Sequence, residues 1–396
     1  MKRILLAALL IGLLSGCQMK NKHKTQAYER WAHARARVVC GVAAEHLKVG
    51  DVKKALTTTR EALAMDENYV PARVLLGKVL LAQGRYANAA EELRITEVLA
   101  PDDPEVAYLL GVALEKHGRH EEALRSYQKA RALDPSKDAY VAASAEVLVA
   151  MDQPVQALEL MRTRLARREG GPGMNALAGD LALLVGRPDE AAGFYRACLD
   201  ADGDSVTALE GLAKARFFAG EHDGALECLG RLAGRPEYAE KVSWVYIMMG
   251  DCNMALKRPR RAREAYETAT RIEPDTARIW MALAKAALSL GDLTRATSSA
   301  RRATALGGPT LEATMVLAYA LVRQQRWPEA ARMLQAASEK HPDDATVLCM
   351  LGRCHQAMGR SDQATSCYLK VLRSHPRHVV ARSLLNAAGA EADGAR

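Results

Sequence analysis

Residues 104–137 read PEVAYLLGVALEKHGRHEEALRSYQKARALDPSK, and the fold is decided there. Ala107, Leu110, Gly111 and Leu114 follow the i, i+3, i+4, i+7 spacing of one helix face. A Gly118-Arg119 turn leads to Ala123, Tyr127 and Ala130 on a second helix, and Pro135 ends it, since proline cannot continue the hydrogen-bond ladder. Outward from this stretch the pattern returns. Ala55, Ala89, Ala123, Ala157, Ala191, Ala225, Ala262, Ala296, Ala330 and Ala364 recur every 34 residues, with one three-residue slip before Ala262. Twelve places earlier each has a small partner: Ala43, Gly77, Gly111, Ala145, Gly179, Ala213, Gly250, Ala284, Ala318 and Gly352. Small residues on facing helices let two backbones approach closely. Glycine takes the turn at Gly50, Gly84, Gly118, Gly186, Gly220, Gly291 and Gly359. A single hairpin of this kind cannot bury its own apolar face, so neighbours must stack.

Length, order and residue types resemble the tetratricopeptide repeat, as in Trp280…Leu283-Ala284…Ala296…Ala300…Ala303 with Gly291 at the turn. The resemblance implies an all-α fold, a right-handed α-solenoid of about ten helical hairpins. The units run 36–69, 70–103, 104–137, 138–171, 172–205, 206–239, 243–276, 277–310, 311–344 and 345–378. Segment 379–388 reads as a capping helix and 389–396 as a frayed tail. Ala388, beyond the repeats, is expected to tolerate a larger side chain. The unit 138–171 departs from the pattern, with Asp152-Gln153-Pro154 at its turn and Arg164 at a place where a small residue is usual. A kink or looser packing is expected there and at 236–243, with Gly170-Gly171-Pro172-Gly173 a flexible joint.

Net charge is +8, and +6 once a leader carrying Lys2 and Arg3 is gone. Basic clusters at Arg162-Arg164-Arg167-Arg168 and Lys257-Arg258-Arg260-Arg261-Arg263 are either solvated helix ends or contacts for an anionic surface. Met1-Lys2-Arg3 precedes an apolar run, Ile4 to Leu14, too short to span a bilayer and suited to a secretory leader. It ends in Leu14-Ser15-Gly16-Cys17, which resembles a bacterial lipobox. The resemblance implies a leader at 1–16 and lipidation of Cys17 with acyl chains such as palmitate. Gln18 in place of Asp implies the outer membrane, facing the periplasm. Residues 17–35 read as a basic tether, or as a spacer whose charge does nothing specific.

Of eight cysteines Cys17 is assigned to lipid, and no CxxC pair occurs. Cys349 and Cys354 lie about 140° apart on a helix. Cys252 repeats the place of Cys354, and Cys228 that of Cys367, so these thiols read as small packing residues. Histidines in turns, His117, His120, His222, His341, His375 and His378, read as solvent-facing. No phosphate loop, HExxH or GxSxG motif is present. The reading is therefore of a protein that is not an enzyme, with no catalytic residues, no cofactor, no metal, no small-molecule substrate and no nucleic-acid partner.

In tetratricopeptide solenoids the first helix of each repeat lines a groove that binds protein partners. Here its non-core face carries Tyr108, Val112, Leu183, Lys214, Phe217, Trp244, Ile247, Met254, Met281, Lys285, Leu288, Met315 and Tyr319, more apolar than solvent-facing positions need. Trp244, Met281 and Met315 are expected to form one open apolar stripe. Phe217, Ile247 and Leu288 have inter-repeat core as their alternative. Lys78, Lys214, Lys285 and Arg353 lack the asparagines with which certain chaperone-binding relatives grip a terminal carboxylate. The resulting expectation is a lipid-anchored protein-interaction scaffold of the bacterial envelope, resembling lipoproteins of Flp and type IV pilus assembly. The alternative is an adaptor for envelope polysaccharide or peptidoglycan synthesis.

Overall fold

A computed structural model describes residues 27–167 and 170–394. Cys17, the leader 1–16 and the tether up to residue 26 lie outside the described residues. Among the described residues the chain is helix and turn, without a strand. Helix α1 covers 27–48. It is followed by α2 (Val52–Met65), α3 (Val70–Ala82), α4 (Tyr86–Leu99), α5 (Pro104–Lys116), α6 (His120–Leu133), α7 (Asp138–Ala150), α8 (Pro154–Ala166) and α9 (Pro172–Leu184). Then come α10 (Pro188–Ala201), α11 (Val206–Phe218), α12 (His222–Ala233), α13 (Ser243–Ala255), α14 (Pro259–Ile272), α15 (Ala277–Ser289) and α16 (Leu293–Gly307). The last five are α17 (Leu311–Arg323), α18 (Trp327–Lys340), α19 (Ala345–Ala357), α20 (Ser361–Ser374) and α21 (Val379–Gly394). The chain divides into two compact units, Met1–Arg187 and Pro188–Arg396, and in each the successive helices pack on one another. The division falls within 172–205, giving α9 to the first unit and α10 to the second.

The helices are short and joined by tight turns, so their stability comes from packing an apolar face rather than from propensity. All ten of the 34-spaced alanines are fully buried, and their small partners twelve places earlier are buried too. The partner's size answers the residue sixteen places on. Gly111, Gly250 and Gly352 lie beneath the rings of Tyr127, Tyr266 and Tyr368, and a methyl group on Gly111 would sit 2.5 Å from the Tyr127 ring. Each phenol is fixed from the other side. Tyr127 donates to Glu115 Oε2 at 2.7 Å, Tyr266 to Asp251 Oδ1 at 2.6 Å and Tyr368 to Gln356 Oε1 at 3.1 Å.

Several expectations need correction. Residues 27–35, read as tether, are helical and continue without a break into the first repeat. At the other end α21 runs on to Gly394, so 389–394 is helix rather than tail. Ala388 is buried against Ala364 and Tyr368, which leaves no room for the larger side chain that its position beyond the repeats suggested. Helices α7 and α8 pack less closely than most hairpins of the chain, as expected for 138–171, yet Arg164 itself is anchored. Its guanidinium, only 11% exposed, donates to Asp138 Oδ1 at 2.9 Å and to the carbonyls of Pro135 and Ser136 at 2.8 and 3.1 Å. Asp138 Oδ2 in turn accepts from the Gly171 amide at 3.3 Å. The large residue cross-links the loop it was expected to disturb. Pro172 and Gly173, read as part of a joint, form the first turn of α9.

The seven cysteines within the described residues are free and buried. Three of the turn histidines differ from the solvent-facing expectation. His120, His222 and His378 are half-buried; Nδ1 of His120 and of His222 is enclosed without a hydrogen-bond partner among the described residues, while His378 Nδ1 accepts from the Ala381 amide at 3.1 Å.

Candidate functional site

Every residue proposed for the groove lies on the first helix of a repeat: α5, α9, α11, α13, α15 or α17. Tyr108, Val112 and Leu183 belong to the first unit and the others to the second. In the first unit the packing role dominates. The Tyr108 ring lies 5.6 Å from Tyr127 and 5.0 Å from Tyr140, and Val112 packs with it against Leu110 and Leu114. Burial, then the nearby Glu146 and Glu115 carboxylates, push the Tyr108 phenol above its ordinary pKa.

In the second unit Lys214 places Nζ 5.3 Å from the centre of the Trp244 ring, a cation–π contact between successive repeats. Phe217 packs against Phe218 and His222, with ring centres 5.5 and 5.7 Å away. Met254, Leu288 and Met315 are half-buried at the margins of core clusters, and Ile247 is half-buried as well. Met281 does not stand on an open stripe with Trp244 and Met315. It is 9% exposed, held by Ala303 and Ala313, because those alanines leave room for a long flexible chain to fold inward. Lys285 and Tyr319 are the exposed members. Lys285 pairs with Glu312, and the Arg323 guanidinium lies 6.0 Å from the Tyr319 ring.

These contacts follow a rule that the sequence reading missed. The ninth residue of one repeat reaches the second residue of the next: Lys78 to Glu105 at 2.6 Å, Lys214 to Trp244, Lys285 to Glu312. On the second helices, the twenty-fifth residue reaches the nineteenth of the next repeat: Arg94 to Glu122 at 2.8 Å, Glu267 to Arg295 at 2.6 Å, Arg301 to Glu329 at 3.3 Å. Opposite charges 27 or 28 places apart were the available signal.

Residues of α13, α15 and α17, together with Tyr266 of α14 and Ala303 and Gly307 of α16, line a cleft of about 650 Å³. Met254 and Met281 contribute apolar surface, and Asp251, Arg278, Lys285 and Glu312 supply charge. Two of those charges are engaged with each other, and Asp251 accepts from Tyr266. Arg278 is exposed and makes no ion pair among the described residues. An apolar floor beside an unpaired guanidinium suits an extended polypeptide bearing an acidic group next to an apolar side chain. No group of three or more histidine, cysteine, aspartate or glutamate side chains that could hold a metal ion occurs among the described residues.

Stacked helical hairpins with an intact small-residue register define a tetratricopeptide-repeat protein, a class that serves protein–protein interaction. The chain is such a protein. A tetratricopeptide-repeat family model matches residues 43–104 and 74–138, and the model described as cilia and flagella-associated protein 70 C-terminal domain matches 201–395. A TPR repeat-containing protein of Treponema pallidum (strain Nichols) is 25% identical over 389 residues, covering 85% of this chain and 46% of the relative. Lipopolysaccharide assembly protein B of Escherichia coli (strain K12) is 32% identical over 59 residues, 15% of each chain. This chain therefore spans less than half the length of those curated relatives. A solved structure titled as YrrB, a TPR protein with an unusual peptide-binding site, has 17% identity and a TM-score of 0.43, covering 48% of this chain and 96% of that one.

Proposed function

We propose that this chain is a non-catalytic, lipid-anchored scaffold of the bacterial envelope that holds a protein partner at the α13–α15–α17 cleft. Its role is to help assemble or stabilise a secretion or pilus-type complex. The observation that carries the reading is the cleft: an apolar floor and an unpaired Arg278, on the helices that repeats of this class present to partners. The Leu14-Ser15-Gly16-Cys17 sequence supports the anchor and the outer-membrane, periplasm-facing placement. A second reading, an adaptor for envelope polysaccharide synthesis, draws on the 59-residue similarity to lipopolysaccharide assembly protein B.

Crosslinking and capture from membranes tests the cleft. Arg278→Glu with Lys285→Glu should lose the partner recovered by the wild type while keeping the same melting temperature, since both side chains are exposed. A variant that still captures the same partner removes the cleft from the account. Pilin or secretin subunits in the captured material favour the first reading, and polymer synthases the second. Radiolabelled palmitate should enter the wild type and not Cys17→Ser; equal labelling, or none in either, ends the lipoprotein reading.

A further inference from the structure

The outward face of α1 is apolar where the end of a repeat stack is ordinarily polar. Ala36, Cys40 and Ala43 are buried and pack toward α2. On the opposite side Trp31, Val38, Val42 and the adjoining Val49 are 53%, 69%, 50% and 74% exposed, with Tyr28 beside them. Their spacing of seven, four and seven places them along one line of the helix. The last helix exposes Val379 and Val380 only in its first turn, and beyond them Arg382, Ser383 and Asn386 are exposed while Ala381 and Ala388 are buried.

Charge says what covers the α1 stripe. Arg30, Arg37 and Lys48, all exposed, form a rank about 100° round the helix from it. The Arg35 guanidinium sits 4.6 Å from the centre of the Trp31 ring. The one acid within the stripe, Glu45, faces Lys48 at 3.8 Å. Between residues 18 and 49 seven lysines and arginines stand against two glutamates. Tryptophan and valine flanked by cations are what a helix lying in a headgroup layer presents. A second copy of the chain is a poor occupant, because self-pairing of the stripe brings like-charged ranks together.

We infer that α1 docks on an anionic phospholipid surface through Trp31, Val38 and Val42, with Arg30, Arg35, Arg37 and Lys48 over the headgroups. This builds on the envelope placement above and supplies a second attachment beside a lipid on Cys17. From Cys17 to Tyr28 the chain reaches at most about 40 Å, so helix and lipid can engage one bilayer. The test removes the lipid, so that its outcome is separate from that of palmitate labelling. Residues 17–396 carrying Cys17→Ser are floated with vesicles of phosphatidylglycerol and phosphatidylcholine at one to three, and with phosphatidylcholine alone. Binding is expected to the anionic vesicles only, and to weaken with salt. Adding Trp31→Glu and Val38→Glu should reduce it at least about tenfold with an unchanged melting temperature, whereas Val98→Glu on α4 should not. No binding to the anionic vesicles, or equal binding by the double variant, overturns the inference. So does a dimer in solution that the double variant dissociates.

Discussion

A glycine at the eighth place of a repeat and a tyrosine at the twenty-fourth act as one unit. Tyr127, Tyr266 and Tyr368 each bury a ring over Gly111, Gly250 and Gly352, and Leu93 lies over Gly77 in the same way, whereas Ala318 shares a core cluster with Leu334 at the same two places. Tyr195 follows a variant of the rule, its ring lying over Gly211 on the next helix. Gly111→Ala forces a methyl group into the Tyr127 ring and should cost about 1–3 kcal/mol. Tyr127→Leu should absorb most of that cost by copying the Ala318–Leu334 arrangement. A double-mutant cycle by urea denaturation should therefore give a coupling of about 1 kcal/mol or more; additive losses would mean that glycine and ring are independent. The small residue was legible in the sequence. Its dependence on the ring was not, because each position was read down the repeats and not across to its partner. Ala388 was misjudged for a related reason, since periodicity carries no information beyond the last repeat.

Within the hairpin, the turn sets the register of the two helices through one left-handed residue. Gly50, Gly84, Gly118, Gly186, Gly220, Gly291 and Gly359 all take positive φ, between 71° and 82°. In the three repeats lacking that glycine, Asp152, Lys257 and Gln325 are held at φ 59°, 55° and 60°. A side chain in this conformation costs roughly 1–2 kcal/mol relative to glycine. Gln325→Gly should therefore raise stability by about 1 kcal/mol, read as a higher denaturant midpoint with an unchanged slope. A lower midpoint would show that the side chain repays its strain. Turn glycines were plain in the sequence. That the repeats without glycine keep the same turn was not, because composition reports the residue and only the backbone reports the angle. Arg164 teaches the complementary lesson: a residue too large for its place in the pattern was compensated by polar partners 26 to 29 places away.

Across the molecule, the contacts between repeats were the least legible part of the candidate site. The reading placed Lys214, Trp244 and Lys285 on the right helices but did not see that the ninth-to-second rule brings Lys214 to Trp244 and Lys285 to Glu312. Such exposed pairs contribute roughly 0–1 kcal/mol each, so they set register more than stability. The buried acids that recur along the chain have a clearer consequence. Burial pushes the thiols of Cys252 and Cys354 up to about 11 and the phenol of Tyr368 up to about 12. Tyr127 and Tyr266 are raised as well, by burial first and then by the Glu115 and Asp251 carboxylates that accept their hydrogen bonds. In the unfolded chain a thiol titrates near 8.5 and a phenol near 10, so above those values the unfolded state releases protons that the native state still holds. Their contribution is complete below about pH 8.5 and declines as pH rises through 11 and 12. Denaturant midpoints followed from pH 7 to 11 should be level at first and fall from about pH 9. Replacing both Cys252 and Cys354 by alanine should make the fall between about pH 9 and 10 shallower without abolishing it, because burial also raises the thiols of Cys40, Cys228, Cys349 and Cys367. An equally steep fall in both proteins would assign the loss to other groups. A constant midpoint to pH 11 would mean that these side chains are hydrated in the native state, and the close packing over Gly250 and Gly352 would have to be abandoned with them.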